Sequence, residues 1–182
     1  MDAIIKGILE KSKNNKLTLV AIDGMPGGGK STLLKHILLN IPSIKVVKMD
    51  NFFNPLTNGD DISRVKKEVL VPLKNNQVAK FKIFDWKEKK LIDGEHINPE
   101  GIVIVEGICS MDRNLIDSYD YKIWVDCSPE VGQSRALARD KGAFRDLWIN
   151  KWIPETIIYI KEQKPNEKAD IVINYKDIPI FE

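Results

Sequence analysis

The chain has 182 residues, of which 28 are Lys or Arg and 26 are Asp or Glu, so its formal net charge is only +2. This length suits one domain over residues 1–182, and the near-balanced charge excludes the basic surface of a general nucleic-acid-binding protein. No signal peptide opens the chain and no apolar run approaches about 18 residues. We therefore expect a cytoplasmic protein without a membrane segment.

The hydrophobic pattern predicts strands that alternate with helices along the chain. In chain order we expect a helix over 2–13, a strand over 17–23, a helix over 30–41, a strand over 44–49, a helix over 63–75, a hairpin over 78–97, strands over 102–106 and 121–126, helices over 129–141 and 146–163, and a strand over 171–174. Such alternation is typical of an α/β fold, a three-layer sandwich in which helices cover both faces of a mostly parallel sheet.

A glycine-rich loop joins the first predicted strand to the next helix. Residues 24–34 read GMPGGGKSTLL, which has the spacing of a phosphate-binding loop. Glycine allows such a loop to turn several backbone N–H groups inward, and the following helix directs its positive end to the same place. We predict that these residues bind nucleotide phosphates: Gly24, Met25, Pro26, Gly27, Gly28, Gly29, Lys30, Ser31 and Thr32.

Acidic residues follow several of the predicted strands. Ligands of open α/β sheets bind beyond the carboxyl ends of the strands. Asp50 follows the second strand and Glu106 ends the third. We expect these two strands to flank the strand that carries the loop, so that both carboxylates lie near the γ-phosphate. Asp126 ends the fourth strand, and we interpret it as a helix cap.

Cysteine and tryptophan residues give weaker signals. Cys109 and Cys127 lie in or beside apolar segments, without the spacing of a metal site, so we interpret them as reduced packing residues. Trp148 and Trp152 are four residues apart on one predicted helix. This spacing favours packing over a platform for a base.

The order of several segments resembles the uridine kinase-like family, which groups uridine-cytidine kinases with phosphoribulokinase, pantothenate kinase and nicotinamide riboside kinase. From about residue 17 to 174, the loop is followed by KMDNFF, EVLVPL, FKIFDW, VIVEGI, WVDCSPE with RALARD, and KPNEKADIVI. The resemblance implies a P-loop NTPase fold with a substrate-binding hairpin at about 78–97 and an arginine-bearing lid at about 139–147. It also implies ATP and Mg²⁺ as cofactors.

The resemblance also implies roles for single residues. Asp50 matches the aspartate that accepts the proton of the acceptor hydroxyl, and Lys30 and Arg139 complete the predicted catalytic set. Ser31 and Glu106 are the predicted magnesium ligands. A Lys, a metal and mobile arginines supply the charge neutralisation that phosphoryl transfer needs.

The predicted lid arginines are Arg135 and Arg139, with Arg145 as a candidate third. The resemblance implies that they close over the phosphates of the nucleotide. Arg135 and Arg139 are also spaced as neighbours on one helix face, with Asp140 beside them. A solvated helix face is therefore the alternative interpretation of this pair.

For the acceptor, the resemblance implies a binding set on the hairpin and the strand ends. Its members are Asp50, Phe53, Phe84, Asp85, Trp86 and Glu106. The uridine kinases of the family have a tyrosine and a histidine where this chain has Phe84 and Lys89. Asp60 and Asp61 are candidates for a contact to the ribose, and a plain surface loop is the alternative.

These observations favour an ATP-dependent kinase of a ribonucleoside such as uridine or cytidine, with transfer to the 5′-hydroxyl. The alternatives are a kinase of another hydroxyl metabolite, such as nicotinamide riboside, pantothenate or a sugar phosphate, and a P-loop switch that acts on a protein partner. A GTPase switch requires an Asn-Lys-x-Asp segment, which this chain lacks. The expected partners are a small molecule and ATP, and a homo-oligomer is left open.

Overall fold

The computed structural model describes residues 1–53, 61–85 and 88–179, and its strands form two sheets. In chain order the strands are β1 Leu17–Gly24, β2 Lys45–Lys48, β3 Ala79–Asp85, β4 Lys90–Ile97, β5 Gly101–Glu106, β6 Tyr121–Asp126 and β7 Ile171–Asn174. The larger sheet has the order β2-β5-β1-β6-β7, and all its neighbouring strands are parallel. The smaller sheet is the antiparallel hairpin β3-β4, which confirms the predicted hairpin.

The helices lie between these strands in the expected positions. They are α1 Asp2–Ser12, α2 Lys30–Asn40, α3 Asp61–Arg64, α4 Val71–Lys74, α5 Pro129–Arg139, α6 Arg145–Leu147 and α7 Ile153–Gln163. The π-helical segments Val65–Leu70 and Trp148–Trp152 join α3 to α4 and α6 to α7. In each case a proline follows within two residues, and it lacks the N–H that a regular α-helix would use there.

Apolar side chains cover both faces of the central sheet. Along β1, Leu19 and Ala21 belong to one core cluster, whereas Val20 and Ile22 belong to another. The first cluster includes Val65, Val69, Leu70 and Leu73, and the second includes apolar residues of α1 and α2. Because successive side chains of a strand point to opposite faces, β1 is buried on both sides. The α/β sandwich expected from the sequence is confirmed.

The strand order corrects one expectation. We expected the strands of Asp50 and Glu106 to flank β1, but only β5 and β6 do so, and β2 lies beyond β5. The register still aligns the carboxyl ends, because Glu106 is opposite Ile22 on one side and Lys48 on the other. The two acidic residues therefore reach the same edge of the sheet from adjacent strands.

A smaller correction concerns the cap of α5. Asp126 is exposed at the end of β6, whereas the N-cap is Ser128, whose side chain accepts a hydrogen bond from the Val131 N–H at 3.4 Å. Serine is a preferred N-cap residue and fits the position directly before the helix.

Among the helices of the described residues, none combines the length and apolar character that a bilayer crossing requires.

Candidate active site

The glycine-rich loop follows β1 with backbone angles that other residues rarely adopt. Gly27 and Gly29 have φ angles of 67° and 94°, in the left-handed region. A Cβ atom at Gly27 would lie 2.3 Å from the carbonyl oxygen of Gly132 in α5. The contact is reciprocal, because a Cβ atom at Gly132 would lie 2.5 Å from the carbonyl oxygen of Pro26. The loop and α5 therefore approach each other backbone to backbone.

The helix α2 begins where the loop ends, with Gly29 as its N-cap and Lys30 as its first residue. The first N–H groups of a helix have no partner within the helix, and the helix dipole makes this end positive. Phosphate groups bind well at such an end. The predicted phosphate-binding residues from 24 to 32 thus lie together at the carboxyl end of β1.

Lys30 is held beneath the loop and is 8% exposed. Its Nζ donates hydrogen bonds to the carbonyl oxygens of Gly24 and Met25, both at 2.9 Å. Burial lowers the pKa of Lys30, and the nearby carboxylates of Asp23 and Glu106 oppose this shift. An ammonium has three N–H donors, so one donor remains beyond these two bonds in the described part of the chain.

Ser31 and Glu106 meet between the start of α2 and the end of β5. The Ser31 hydroxyl donates to Glu106 Oε1 at 3.1 Å. Burial raises the pKa of Glu106, and the Lys30 ammonium limits the shift. Two oxygen ligands of this kind suit Mg²⁺, which usually keeps waters and substrate phosphates in its remaining positions. Within the described ranges, no group of three or more His, Cys, Asp or Glu residues could hold a metal ion by itself.

Asp50 lies in a short 3₁₀ turn directly after β2. Gly107 lets this turn approach the end of β5, because a Cβ atom there would lie 2.6 Å from the Cβ atom of Met49. The Asp50 carboxylate is exposed and is close enough to influence the pKa values of Lys30 and Glu106. The Asp50 and Glu106 carboxylates therefore converge near the loop, as expected from the sequence.

A cavity of about 510 Å³ opens beside Asp50. Four aromatic side chains line it: Phe53, Phe144, Trp148 and Trp152. The ring centres of Trp148 and Trp152 are 4.6 Å apart, and Phe53 meets Trp152 edge-on at 6.2 Å. The polar residues of the lining are Asp50, Arg139, Asp140, Glu155 and Thr156. An apolar cavity with a few polar groups is typical of a small-molecule site.

Arg139 lines this cavity from the end of α5. Its guanidinium donates to both carboxylate oxygens of Asp140, at 2.7 and 3.2 Å, and lies 5.7 Å from the centre of the Trp148 ring. Asp140 also accepts a hydrogen bond from Trp148 Nε1 at 2.8 Å. The hydrogen bond from Arg139 is the largest of the causes that lower the pKa of Asp140. The predicted lid arginine is thus held at the edge of the cavity.

The other two arginines are placed differently. Arg135 is exposed on α5, with its guanidinium 5.1 Å from the centre of the Tyr175 ring. Arg145 is exposed at the start of α6. Neither is among the described residues that line the cavity.

The structure also places the predicted hairpin residues apart from this cavity. Phe84 is 5% exposed within β3, and Asp85 ends that strand. Neither is among the described residues of the cavity lining. Trp86 and Asp60 lie outside the described residues, as does the side chain of Asp61. In the described part of the chain, the aromatic residues that line the cavity are Phe53, Phe144, Trp148 and Trp152.

The sequence did not lead us to most of the aromatic residues that line the cavity. Trp148 and Trp152 were interpreted as packing residues; they do pack against each other, but both also line the cavity. Trp148, Trp152, Glu155 and Thr156 are spaced by three and four residues along the chain. This spacing indicates that the four side chains share one helix face. Asp23, an acidic residue in an apolar strand next to the loop, was also missed.

Comparison with known proteins identifies the family. A family model described as an AAA domain matches residues 20–147. Uridine kinase from Saccharomyces cerevisiae is 27% identical over 183 residues, which cover 85% of this chain and 36% of that protein. Uridine kinase from a Staphylococcus epidermidis strain is 26% identical over 183 residues, which cover 87% of this chain and 88% of that protein. The chain thus spans little more than a third of the yeast relative but most of the staphylococcal one.

A solved structure supports the same assignment at the level of the fold. It is named as a possible uridine kinase from Bacillus stearothermophilus, and the superposition has a TM-score of 0.73 at 17% identity. It covers 94% of this chain and 96% of the other. The chain therefore belongs to the AAA domain family and is a P-loop kinase, a phosphotransferase, that is similar in sequence to proteins named uridine kinase.

Proposed function

We propose that this kinase transfers the γ-phosphate of ATP to the 5′-hydroxyl of a ribonucleoside, with uridine and cytidine as the first candidates. The observation that carries this proposal is the aromatic cavity that opens at Asp50, whose carboxylate is close enough to Lys30 to act on its pKa. The relatives named uridine kinase support a nucleoside as the acceptor.

On the donor side, the ATP phosphates would contact the loop and the first turn of α2. The remaining N–H donor of Lys30 would bond to the β- and γ-phosphates. Phosphoryl transfer needs positioning and charge neutralisation more than covalent chemistry, and a buried ammonium provides both. Mg²⁺, held by Ser31 and Glu106, would supply further neutralisation of the phosphate charge when bound.

On the acceptor side, we assign Asp50 as the general base. A base must lie within hydrogen-bond reach of the proton that it removes, and Asp50 lines the cavity close to Lys30. Glu106 is less suited to this role, because it is buried and accepts the hydrogen bond of Ser31. Arg139 would exchange its bond to Asp140 for one to the transferring phosphoryl group.

The cavity lining favours a flat and uncharged acceptor. Stacking of a base on an aromatic side chain is worth about 1–3 kcal/mol, and Trp152 is the ring that contacts both Phe53 and Trp148. Glu155 and Thr156 can bond to the polar edge of a base or a ribose. Arg139 is the one cationic residue among the described residues of the lining. A phosphorylated sugar would call for more cationic groups than this.

The test is a panel of nucleosides and other hydroxyl metabolites, assayed with ATP and Mg²⁺. We expect phosphorylation of uridine or cytidine, with weak discrimination between bases, because a wall of aromatic rings stacks with any base. The proposal fails if no nucleoside is phosphorylated while pantothenate or a phosphorylated sugar is. ATP hydrolysis that responds to a protein partner and to no metabolite would favour the P-loop switch.

Two variants then locate the acceptor wall. Loss of stacking in Trp152→Ala should raise the acceptor KM about 10-fold, with little change in the ATP KM. Phe84→Ala should instead destabilise the fold by about 3–5 kcal/mol, as expected for a buried aromatic residue, and leave both KM values near those of the wild type. If the acceptor KM rises in Phe84→Ala but not in Trp152→Ala, the acceptor contacts the hairpin and not Trp152.

A further inference from the structure

A fully buried carboxylate connects three parts of the active site. Asp23 precedes the phosphate-binding loop and is 0% exposed. Its Oδ1 accepts a hydrogen bond from the Gly24 N–H at 2.6 Å. Its Oδ2 accepts two more, from the Met111 N–H at 2.9 Å and from the Tyr159 hydroxyl at 2.7 Å. A buried carboxylate is costly unless it is hydrogen-bonded, so these donors hold Asp23 in one place.

The three donors belong to different elements. Gly24 begins the phosphate-binding loop. Met111 lies in the segment after β5, two residues beyond Cys109, which lines the acceptor cavity. Tyr159 lies on α7, about one turn beyond the cavity residue Thr156. Asp23 therefore connects the donor side of the site to two walls of the acceptor cavity.

Additional hydrogen bonds hold the segment after β5 against its neighbours. The Ser110 hydroxyl donates to the carbonyl oxygen of Ile22 at 3.1 Å. At the other end, the Gln163 side chain donates to Asp112 at 2.7 Å and accepts a bond from the Arg113 N–H at 2.6 Å. The segment is thus attached to β1 and to the end of α7. Along the chain, the bond from Met111 to Asp23 comes between these two attachments.

We propose that Asp23 and Tyr159 form a positioning pair, which keeps the phosphate-binding loop and the acceptor wall at the separation that transfer requires. This inference rests on the proposed function, because it assigns the cavity to the acceptor. Neither residue is among the described cavity residues, so the pair acts through the elements that it joins. Reacting atoms must lie about 3–3.5 Å apart, and a misplacement of about 1 Å can lower the rate by roughly 10²-fold.

The pair should affect kcat more than either KM. ATP and the acceptor each bind through contacts within their own part of the site, and these contacts survive a small displacement. The rate of transfer depends on the distance between the two parts. A role in stability alone would instead lower the number of folded molecules, without changing kcat per ATP-binding site.

The chain offers a matched control for the Tyr159 hydroxyl. Tyr119 is also buried, and among the described residues its hydroxyl has no hydrogen-bond partner. We expect Tyr159→Phe to lower kcat per ATP-binding site about 10-fold, with both KM values near those of the wild type, whereas Tyr119→Phe keeps the wild-type kcat. Asp23→Asn should lower kcat further, since an amide cannot accept all three bonds.

A second measurement needs no acceptor. We expect saturating ATP to slow amide hydrogen exchange in residues 153–163 of the wild type and of Tyr119→Phe, but not of Tyr159→Phe. If ATP slows exchange in the wild type but not in Tyr159→Phe, and the wild type phosphorylates no nucleoside, the proposed acceptor fails and the positioning pair stands. If Tyr159→Phe matches Tyr119→Phe in both kcat and exchange while nucleosides are phosphorylated, the pair is overturned and the proposed function stands.

Discussion

Three ionisable side chains, Asp23, Lys30 and Glu106, are buried together at the carboxyl ends of β1 and β5. Burial raises the pKa of both acids and lowers the pKa of the lysine, and their mutual attraction opposes each shift. Buried charges of this kind contribute little net stability. They are frequent at functional sites, where they preorganise the charge that a reaction needs.

At this scale, we expect Lys30→Ala to lower kcat by roughly 10²-fold or more, because it removes a donor aimed at the charge of the transferring phosphate. Ser31→Ala should also lower kcat, through loss of a metal ligand. Lys35→Ala is the matched control, since Lys35 is exposed on the same helix. Steady-state kinetics and a thermal unfolding curve check the prediction. Near-normal transfer by Lys30→Ala would contradict the phosphate-loop assignment.

Asp50→Asn tests the general base. We expect kcat to fall by about 10²- to 10⁴-fold while ATP affinity changes little, because the carboxylate faces the acceptor hydroxyl. Asp126→Asn is a suitable control, since Asp126 is an exposed aspartate at another strand end. Kinetics and nucleotide titration distinguish the outcomes. Loss of ATP binding with kcat preserved would make Asp50 a metal ligand or a structural residue.

At the scale of elements, the segment from the end of α5 to the start of α7, which includes the predicted lid, forms one wall of the cavity. Phe144 has a φ angle of 58°, and the chain turns there into α6. The π-helical segment then holds Trp148 and Trp152 with their ring planes at 76°. Asp140 accepts hydrogen bonds from both Arg139 and Trp148, so it joins the end of α5 to the π-helical segment.

The contact between Arg139 and Asp140 gives a pH prediction. Because the pKa of Asp140 is lowered in the fold, the contact contributes stability above the ordinary value of 3.8, and this contribution is lost as the pH falls through the lower folded value. Tryptophan fluorescence should therefore change at a pH below 3.8. In Asp140→Asn this step should be absent. An identical acid transition in both proteins would show that other groups cause it.

At the scale of the whole molecule, the position of the loop depends on an element that is distant in the sequence. The backbone contact between Gly27 and Gly132 brings α5 onto the loop, and α5 carries Arg139 at its other end. The predicted phosphate-binding loop and Arg139 are therefore connected through one helix. Close packing leaves no room for a side chain at this crossing.

Gly132→Ala tests this arrangement. The added methyl group would lie 2.5 Å from a backbone oxygen, so the loop or α5 must shift, at a cost of about 1–3 kcal/mol. We expect the Kd for ATP to rise about 10-fold. Ser134→Ala, at an exposed position of the same helix, should bind ATP as the wild type does. An unchanged Kd in Gly132→Ala would mean that the loop does not depend on α5.

The sequence by itself predicted most of the elements and the candidate phosphate-binding loop. Periodicity located the strands and most helix boundaries, because apolar spacing reflects which face of an element is buried. The phosphate-binding loop was readable because its chemistry is local: the glycines, Lys30 and Ser31 are contiguous in the chain. The resemblance to a known family pointed to Asp50, and the kinase assignment followed from these local signals.

Only the tertiary structure shows the aromatic cavity that we propose for the acceptor. The position of β2 beyond β5 is not encoded in any single strand, since parallel strands pair through long connections. The cavity joins Phe53, which follows β2, to residues near 150, so it exists only after the sheet packs against the segment between α5 and α7. The bond between Asp23 and Tyr159 spans 136 positions of the chain. Such long-range contacts depend on the packing of the whole core, whereas sequence patterns report local burial.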